Sequence, residues 1–160
     1  MPAGTTYNCL ATTTSTGSAN NVTFSSISAS YTDLVVVVSG GYTSSYFDMQ
    51  FNGDTASNYS FVRMIAFGTT VYTDRYNSSA SMQPSLSTTQ GTLLVNIGNY
   101  ANTNTYKTVI WHLGNASSGV ELSVALWRNT AAINSIALIS PNLANIPAGL
   151  IFSLYGIAAA

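Results

Sequence analysis

Three segments of this sequence alternate between apolar and polar residues, and this period of two is the feature that most limits the possible folds. The alternation is clearest in residues 47–51, 93–97 and 120–126. Successive side chains of a β-strand point to opposite faces, so each segment presents one apolar row to a core. Thr, Val, Tyr and Phe are frequent, while the strong helix formers Glu, Lys and Gln are almost absent. The sequence therefore predicts an all-β fold.

Further strands are predicted where β-branched and aromatic residues lie between clusters of Gly, Asn, Ser and Pro. These segments are 22–25, 59–67, 106–113, 132–139 and 150–157. The apolar run 34–38 suits a strand buried on both faces, in the centre of a sheet or against a neighbouring subunit. About eight to ten strands in total are enough for an antiparallel, jelly-roll-like β-sandwich. We expect residues 1–160 to form one such domain.

The segments between these strands also allow turns and loops to be predicted. Asn52 and Gly53 tolerate a positive φ, so residues 51–54 are predicted to turn a hairpin between two strands. Residues 68–91 have weak periodicity and contain Pro84, which indicates a long loop that carries an edge strand at most. Residues 1–20 are interpreted as an N-terminal arm or an edge strand.

The chain is unusually poor in charge, and this restricts its partners. It has four Lys and Arg and five Asp and Glu among 160 residues, with a net charge of −1. Weak repulsion between copies favours a protein that functions in an assembly. The basic residues are scattered, which argues against nucleic acid binding, and no apolar run approaches a membrane span. Cys9 is the only cysteine and can form no internal disulfide, which suits folding in a reducing cytoplasm.

Few residues could support catalysis or bind a metal. His112 and Cys9 are too few for a zinc site, and no nucleophile elbow accompanies His112. Asp48 and Asp54 could form the carboxylate pair of a glycosidase, and Asn52, Asp54 and Asn58 could form a calcium loop. Simpler interpretations are a solvated strand residue and turn-forming residues. We therefore expect no enzyme activity, no cofactor and no metal.

Aromatic residues offer a better candidate for a functional surface. If Val120, Leu122, Val124 and Leu126 face the core, Trp127 falls on the outward row beside Arg128. Aromatic residues and Arg are enriched where protein surfaces meet. Alternatively, Trp127 stacks on a sugar ring or is covered by a loop of its own subunit. The candidate interface residues are Trp127, Arg128, Trp111 and Tyr155.

Several short strings follow one another in a characteristic order along the chain. They are Tyr31-Thr32-Asp33-Leu34, Phe51-Asn52-Gly53-Asp54 with Asn58-Tyr59-Ser60, Asn99-Tyr100 followed by Lys107-Thr108, residues 127–136 from Trp127 to Ile136, and Phe152-Ser153-Leu154-Tyr155-Gly156-Ile157. In this order they resemble a group of small virion proteins from tailed phages, many from marine and cyanobacterial hosts. Those proteins are described as structural or tail-associated, so the resemblance implies a component of the phage particle. The chain departs from the group at Ser28, where Pro is frequent, and at Ala158, where a basic residue is frequent.

The leading hypothesis is a capsid decoration, or cement, protein that assembles in the host cytoplasm and remains in the virion. Its expected partners are copies of itself, in a homotrimer, and the major capsid protein or other virion proteins. The chain is interpreted as one complete domain, without the coiled coil or anchoring region of a tail fibre. The alternative is a tail-fibre or tail-tip module that binds host surface glycans. A third hypothesis is an enzyme that acts on surface polysaccharide through Asp48, Asp54 or Glu121.

Overall fold

A computed structural model describes residues 6–42, 44, 46–86, 89–115 and 119–158, and these form two antiparallel sheets packed as a sandwich. The strands are β1 (Tyr7–Thr14), β2 (Asn21–Phe24), β3 (Asp33–Gly40), β4 (Asp48–Phe51), β5 (Tyr59–Phe67), β6 (Thr70–Ser79), β7 (Gly91–Ile97), β8 (Lys107–Asn115), β9 (Gly119–Trp127), β10 (Ile136–Ile139) and β11 (Ile151–Ile157). The only helical segment in the described ranges is the 3-10 turn Pro141–Leu143. No helix within them is long and apolar enough to cross a membrane. The all-β sandwich prediction is confirmed.

The two sheets differ greatly in width. The larger has eight strands in the order β1-β11-β3-β7-β8-β9-β5-β6, and the smaller has three in the order β2-β10-β4. The run 34–38 lies in β3, between β11 and β7, and most of its side chains are buried on both faces. The prediction that this run lies inside a sheet is confirmed.

Residues 1–20 and 68–91, for which an edge strand is one interpretation, each contain a strand at an edge of the large sheet. Within the described residues, β1 pairs only with β11 and therefore ends the large sheet, although residues 1–5 lie outside the described ranges. The segment 68–91 contains β6, a ten-residue strand at the opposite edge. Beyond β6 the chain returns to the small sheet, where Met82 forms a β-bridge with Met49 of β4.

The hairpin prediction for residues 51–54 is wrong, although the turn itself is present. Asn52 and Gly53 have φ values of 53° and 67°, and the Asp54 N–H donates to the Phe51 carbonyl over 2.9 Å. However, β4 pairs with β10, while β5 pairs with β6 and β9. The turn therefore carries the chain from the small sheet to the large one. The turn also holds the segment before β10 in place, because Asn52 Oδ1 accepts hydrogen bonds from the backbone N–H groups of Asn134 and Ser135. This contact explains why β10 begins at Ile136 and not at 132 as predicted.

The core between the sheets is rich in aromatic side chains whose polar atoms have partners. Tyr42 stacks on Phe47 with ring centroids 4.2 Å apart, and its hydroxyl hydrogen-bonds the Ser140 Oγ. Tyr59 accepts a hydrogen bond from the Phe51 N–H, and burial raises the pKa of Tyr59 to about 12. These buried hydroxyls avoid the cost of an unsatisfied polar group in the core.

Lys107 is a fully buried cation at the start of β8. Its Nζ donates to the carbonyls of Thr105 and Thr130, over 2.9 Å and 3.1 Å. Burial lowers the pKa of Lys107. The ammonium therefore ties the loop before β8 to the loop after β9, at the expense of its own hydration.

Gly156 is predicted to be intolerant of a side chain, because the Tyr31 ring lies directly on it. A Cβ at Gly156 would lie 2.5 Å from Tyr31 Cγ, whereas a Cβ at Gly98 would meet its nearest neighbour at 3.7 Å. We expect Gly156→Ala to lower the free energy of unfolding by about 1–3 kcal/mol, the usual cost of overpacking. Urea denaturation measures this change. Gly98→Ala is the matched control, and an equal loss in both variants would contradict the role of the Tyr31 contact.

Candidate interaction surface

The two faces of β9 are reversed relative to the pattern of its sequence. Glu121 and Ser123 are buried, with 2% and 3% of their surface exposed, and Trp127 has none exposed. Leu122 and Val124, by contrast, are 52% and 48% exposed. The prediction that the apolar row of residues 120–126 faces the core and that Trp127 points outward is therefore wrong. An apolar row faces solvent in the described structure.

Two indoles determine this orientation. Trp127 Nε1 donates to Asp54 Oδ2 over 2.7 Å, and its ring packs edge-on against Phe51 with centroids 5.5 Å apart. Trp111 of β8 is fully buried and donates from Nε1 to Glu121 Oε1 over 2.6 Å. Since side chains alternate strictly along a strand, placing Trp127 inside forces Val120, Leu122 and Val124 outside. Each indole buries a large aromatic surface and has a hydrogen-bond acceptor for its N–H, which favours this orientation.

The neighbouring strands extend this apolar row into a two-dimensional face. Val124 lies opposite Val62 of β5 on one side and opposite Ile110 of β8 on the other, and Leu122 lies opposite Met64. The side chains of this surface are between 43% and 63% exposed. We call it the outer apolar face, and its members are Val62, Met64, Val71, Ile110, Val120, Leu122 and Val124. Contiguous apolar surface of this kind marks an interaction site more often than isolated exposed residues do.

Charge is nearly absent from the outer apolar face. Among the described Lys, Arg, Asp and Glu residues of β5, β6, β8 and β9, Arg75 alone lies on this side of the sheet, opposite Val62. Gly114 lies opposite Val120 and adds no side chain. Beside it, a shallow depression of about 540 Å³ is lined by Met64, Ala66, Val71, Gly114, Val120 and Leu122, among others. The face is therefore apolar, weakly charged and uneven in relief.

The four predicted interface residues are distributed between the core and the surface. Trp111 and Trp127 have no exposed surface, so neither indole can contact a second chain in this conformation. Arg128 holds the loop before β5, because its Nη2 donates to the Ser57 carbonyl over 2.7 Å. Tyr155 is half-buried and lies opposite Val35, on the same side of the large sheet as the outer apolar face.

The structure describes all five Asp and Glu side chains of the sequence, and each accepts a hydrogen bond from within the chain. Asp33 Oδ1 accepts from the Asn99 N–H and Asp48 Oδ1 from Ser81 Oγ. Glu121 Oε1 accepts from Ser123 as well as Trp111, whereas its buried Oε2 has no hydrogen-bond partner among the described residues. The side chains proposed for a glycosidase pair thus stabilise loops and strands of the fold.

The candidate calcium-loop residues are likewise committed to packing. Asp54 Oδ2 accepts from Asn58 and Trp127, and Oδ1 accepts from the Ala56 N–H. Partial burial acts to raise the pKa of Asp54, but these hydrogen bonds outweigh it and the pKa is lowered. Asn52 directs both its donor and its acceptor to residues 132–135. Within the described ranges, no three His, Cys, Asp or Glu side chains gather as a metal-binding group.

The ordered strings of the sequence meet in the folded chain. Thr32 donates from its backbone N–H to the Ile157 carbonyl over 2.9 Å, which joins the first string to the last. Asp54 binds Trp127, which joins the second to the fourth. The Ile133 N–H donates to the Tyr100 carbonyl over 2.9 Å. These residues therefore have packing roles, and none of these contacts lies on the outer apolar face.

An ion pair behind the face supports the edge strand β6, and it predicts a pH dependence. Arg63 of β5 donates two hydrogen bonds to Asp74 of β6, over 2.9 Å and 2.6 Å. These hydrogen bonds lower the pKa of Asp74. A carboxylate with a lowered folded-state pKa stabilises the fold fully above its unfolded pKa of about 4, and this contribution is lost as the pH falls through the folded pKa.

A double-mutant cycle with Arg63→Gln and Asp74→Asn checks this expectation. We expect the coupling free energy from urea denaturation to stay constant above about pH 5 and to decrease below about pH 4. A coupling that is unchanged down to about pH 2 would show that the charge of Asp74 does not support β6.

Comparisons of this chain with protein-family models, with curated proteins and with solved structures found no match.

Proposed function

We propose that this chain is a structural subunit of a tailed-phage particle, a capsid decoration protein that associates with copies of itself and with the major capsid protein. The observation that carries the proposal is the outer apolar face, which leaves Val62, Leu122, Val124 and their neighbours half-exposed on a chain with a net charge of −1. Such a face has little use on a protein that stays monomeric. The link to a phage comes from the resemblance of the ordered strings. We propose a closed cyclic oligomer, such as a homotrimer, since closed symmetry buries equivalent patches of every copy.

We also infer that a jelly roll underlies the sandwich. The strand order β1-β11-β3-β7 faces β2-β10-β4, and the β-bridge between Met49 and Met82 adds an eighth segment next to β4. Two sheets of four segments with this interleaved order match the eight strands of a jelly roll. The pairs β5–β6 and β8–β9 are then two additions that widen one sheet. The outer apolar face lies on these added strands, which supports a role for them in association.

Each competing function has less support than the decoration role. The glycan-binding alternative called for exposed Tyr, Trp and Asn side chains; Trp127 is fully buried, whereas Tyr72 and Tyr106 are exposed. The polysaccharide-cleaving alternative relied on Asp48, Asp54 and Glu121, and all three have hydrogen-bond partners within the fold. We therefore favour the decoration protein.

Heads purified from a phage mutant that lacks this protein provide the direct test. We expect added protein to co-sediment with such heads, to saturate at a fixed ratio to the major capsid protein, and to raise the temperature at which the heads release DNA. Binding of the same preparation to a glycan array and to host envelope fractions serves as the control and should be absent. If the protein ignores the heads but binds envelope fractions, the tail-tip alternative is correct.

A further inference from the structure

We propose that the outer apolar face is covered by the same face of further copies of this chain. This inference rests on the proposed self-association and assigns it to one surface. The surface consists of Val62, Met64, Val71, Ile110, Val120, Leu122 and Val124, on the side of β5, β6, β8 and β9 that points away from the core.

The size of the face is appropriate for an interface. Its seven side chains are 43% to 63% exposed, which for residues of this size amounts to an apolar patch on the order of 500 Å². This is near the upper range for the largest patch of a monomer. Thr73, Thr108 and Arg75 border it and are also exposed. Patch and border together approach the roughly 800 Å² that each partner contributes to a stable protein interface.

The distribution of charge favours a second copy as the occupant. Within the described residues, no carboxylate lies on this side of β5, β6, β8 and β9, and Arg75 is at its border. A partner with a charged surface would lose hydration there and gain no counter-charge. An identical face brings only the Arg75 at its border, and long-range repulsion between copies is small at a net charge of −1.

The relief of the face also suits contact between sheets. The rows Val62-Val124-Ile110 and Met64-Leu122-His112 run straight across three adjacent strands. Packed sheets interdigitate such rows at a separation of about 10 Å. Gly114 leaves the depression beside Val120 open, and we infer that an aliphatic side chain of another copy enters it.

A charge placed in the face should dissociate the assembly. We expect Leu122→Lys to weaken self-association at least about 100-fold in sedimentation velocity experiments, because each contact would bury an unpaired ammonium. Ile151→Lys is the matched control, since Ile151 is 45% exposed on the same side of the same sheet but lies on β11. The control should associate as the wild type does, and urea denaturation verifies that both variants are folded. Equal association of Leu122→Lys and the wild type would overturn the inference.

The wild-type protein offers a second measurement that does not depend on a variant folding. Met64 is 50% exposed, whereas Met49 and Met82 are fully buried. Peroxide converts an accessible methionine to its sulfoxide, and mass spectrometry of peptides assigns the site. We expect the oxidation rate of Met64 to fall at least about tenfold as the protein concentration rises through the association range. An assembly that forms while Met64 stays fully reactive would overturn the inference.

The head-binding assay separates this inference from the proposed function. If the free protein remains monomeric at high concentration and Met64 becomes protected only on heads, the capsid covers the face. That result overturns the inference and leaves the proposed function intact. If the protein assembles through the face but never binds heads, the inference stands and the decoration role fails.

Discussion

The hydrogen bond from Trp127 Nε1 to Asp54 Oδ2 is the interaction on which the arrangement of the large sheet depends. It places the largest side chain of β9 on the inner side of the sheet, against Phe51. Asp54 at the same time organises the turn after β4 through Asn58 and the Ala56 N–H. The Asp54 carboxylate thus links the turn that carries the chain from the small sheet to the large one with the orientation of β9. The exposed apolar row on the other side of β9 is a direct consequence of that orientation.

The unequal width of the sheets leaves the inner side of β6 more exposed than the inner side of β9, where Glu121 and Ser123 are buried. A three-stranded sheet cannot cover an eight-stranded one, so the ends of β5 and β6 extend beyond the core. Tyr72 is 55% exposed there, and Arg63 pairs with Asp74 on the same side. Glu121 and Ser123 lie next to this region. The inner side of the sheet therefore becomes more exposed from β9 to β6, while the outer side is apolar on β9 and β5 and carries Thr73 and Arg75 on β6.

The sequence predicted the strands well because their signals are local. The run 34–38 and the segment 59–67 fall in β3 and β5, since length, β-branching and flanking turn residues identify a strand without knowledge of its partners. The facing of β9 could not be read in the same way, because alternation defines two faces and does not say which is inside. A usable signal was present in Trp127, which shares its face with Glu121 and Ser123 and is too large to leave exposed at little cost. The hairpin error at 51–54 has a similar origin, since a turn sequence specifies a reversal and not the sheet that the next strand joins.

Strand propensity alone does not account for the outer apolar face. Val62, Val124 and Ile110 are β-branched, and such residues favour strands even on exposed surfaces. Thr would serve that purpose equally well and is abundant elsewhere in the chain, as in β1. Met64 and Leu122 are not β-branched, they lie opposite each other at the centre of the face, and both are half-exposed. Since they gain little from the monomer fold where they lie, their apolar character is best explained by a contact that the isolated chain does not make.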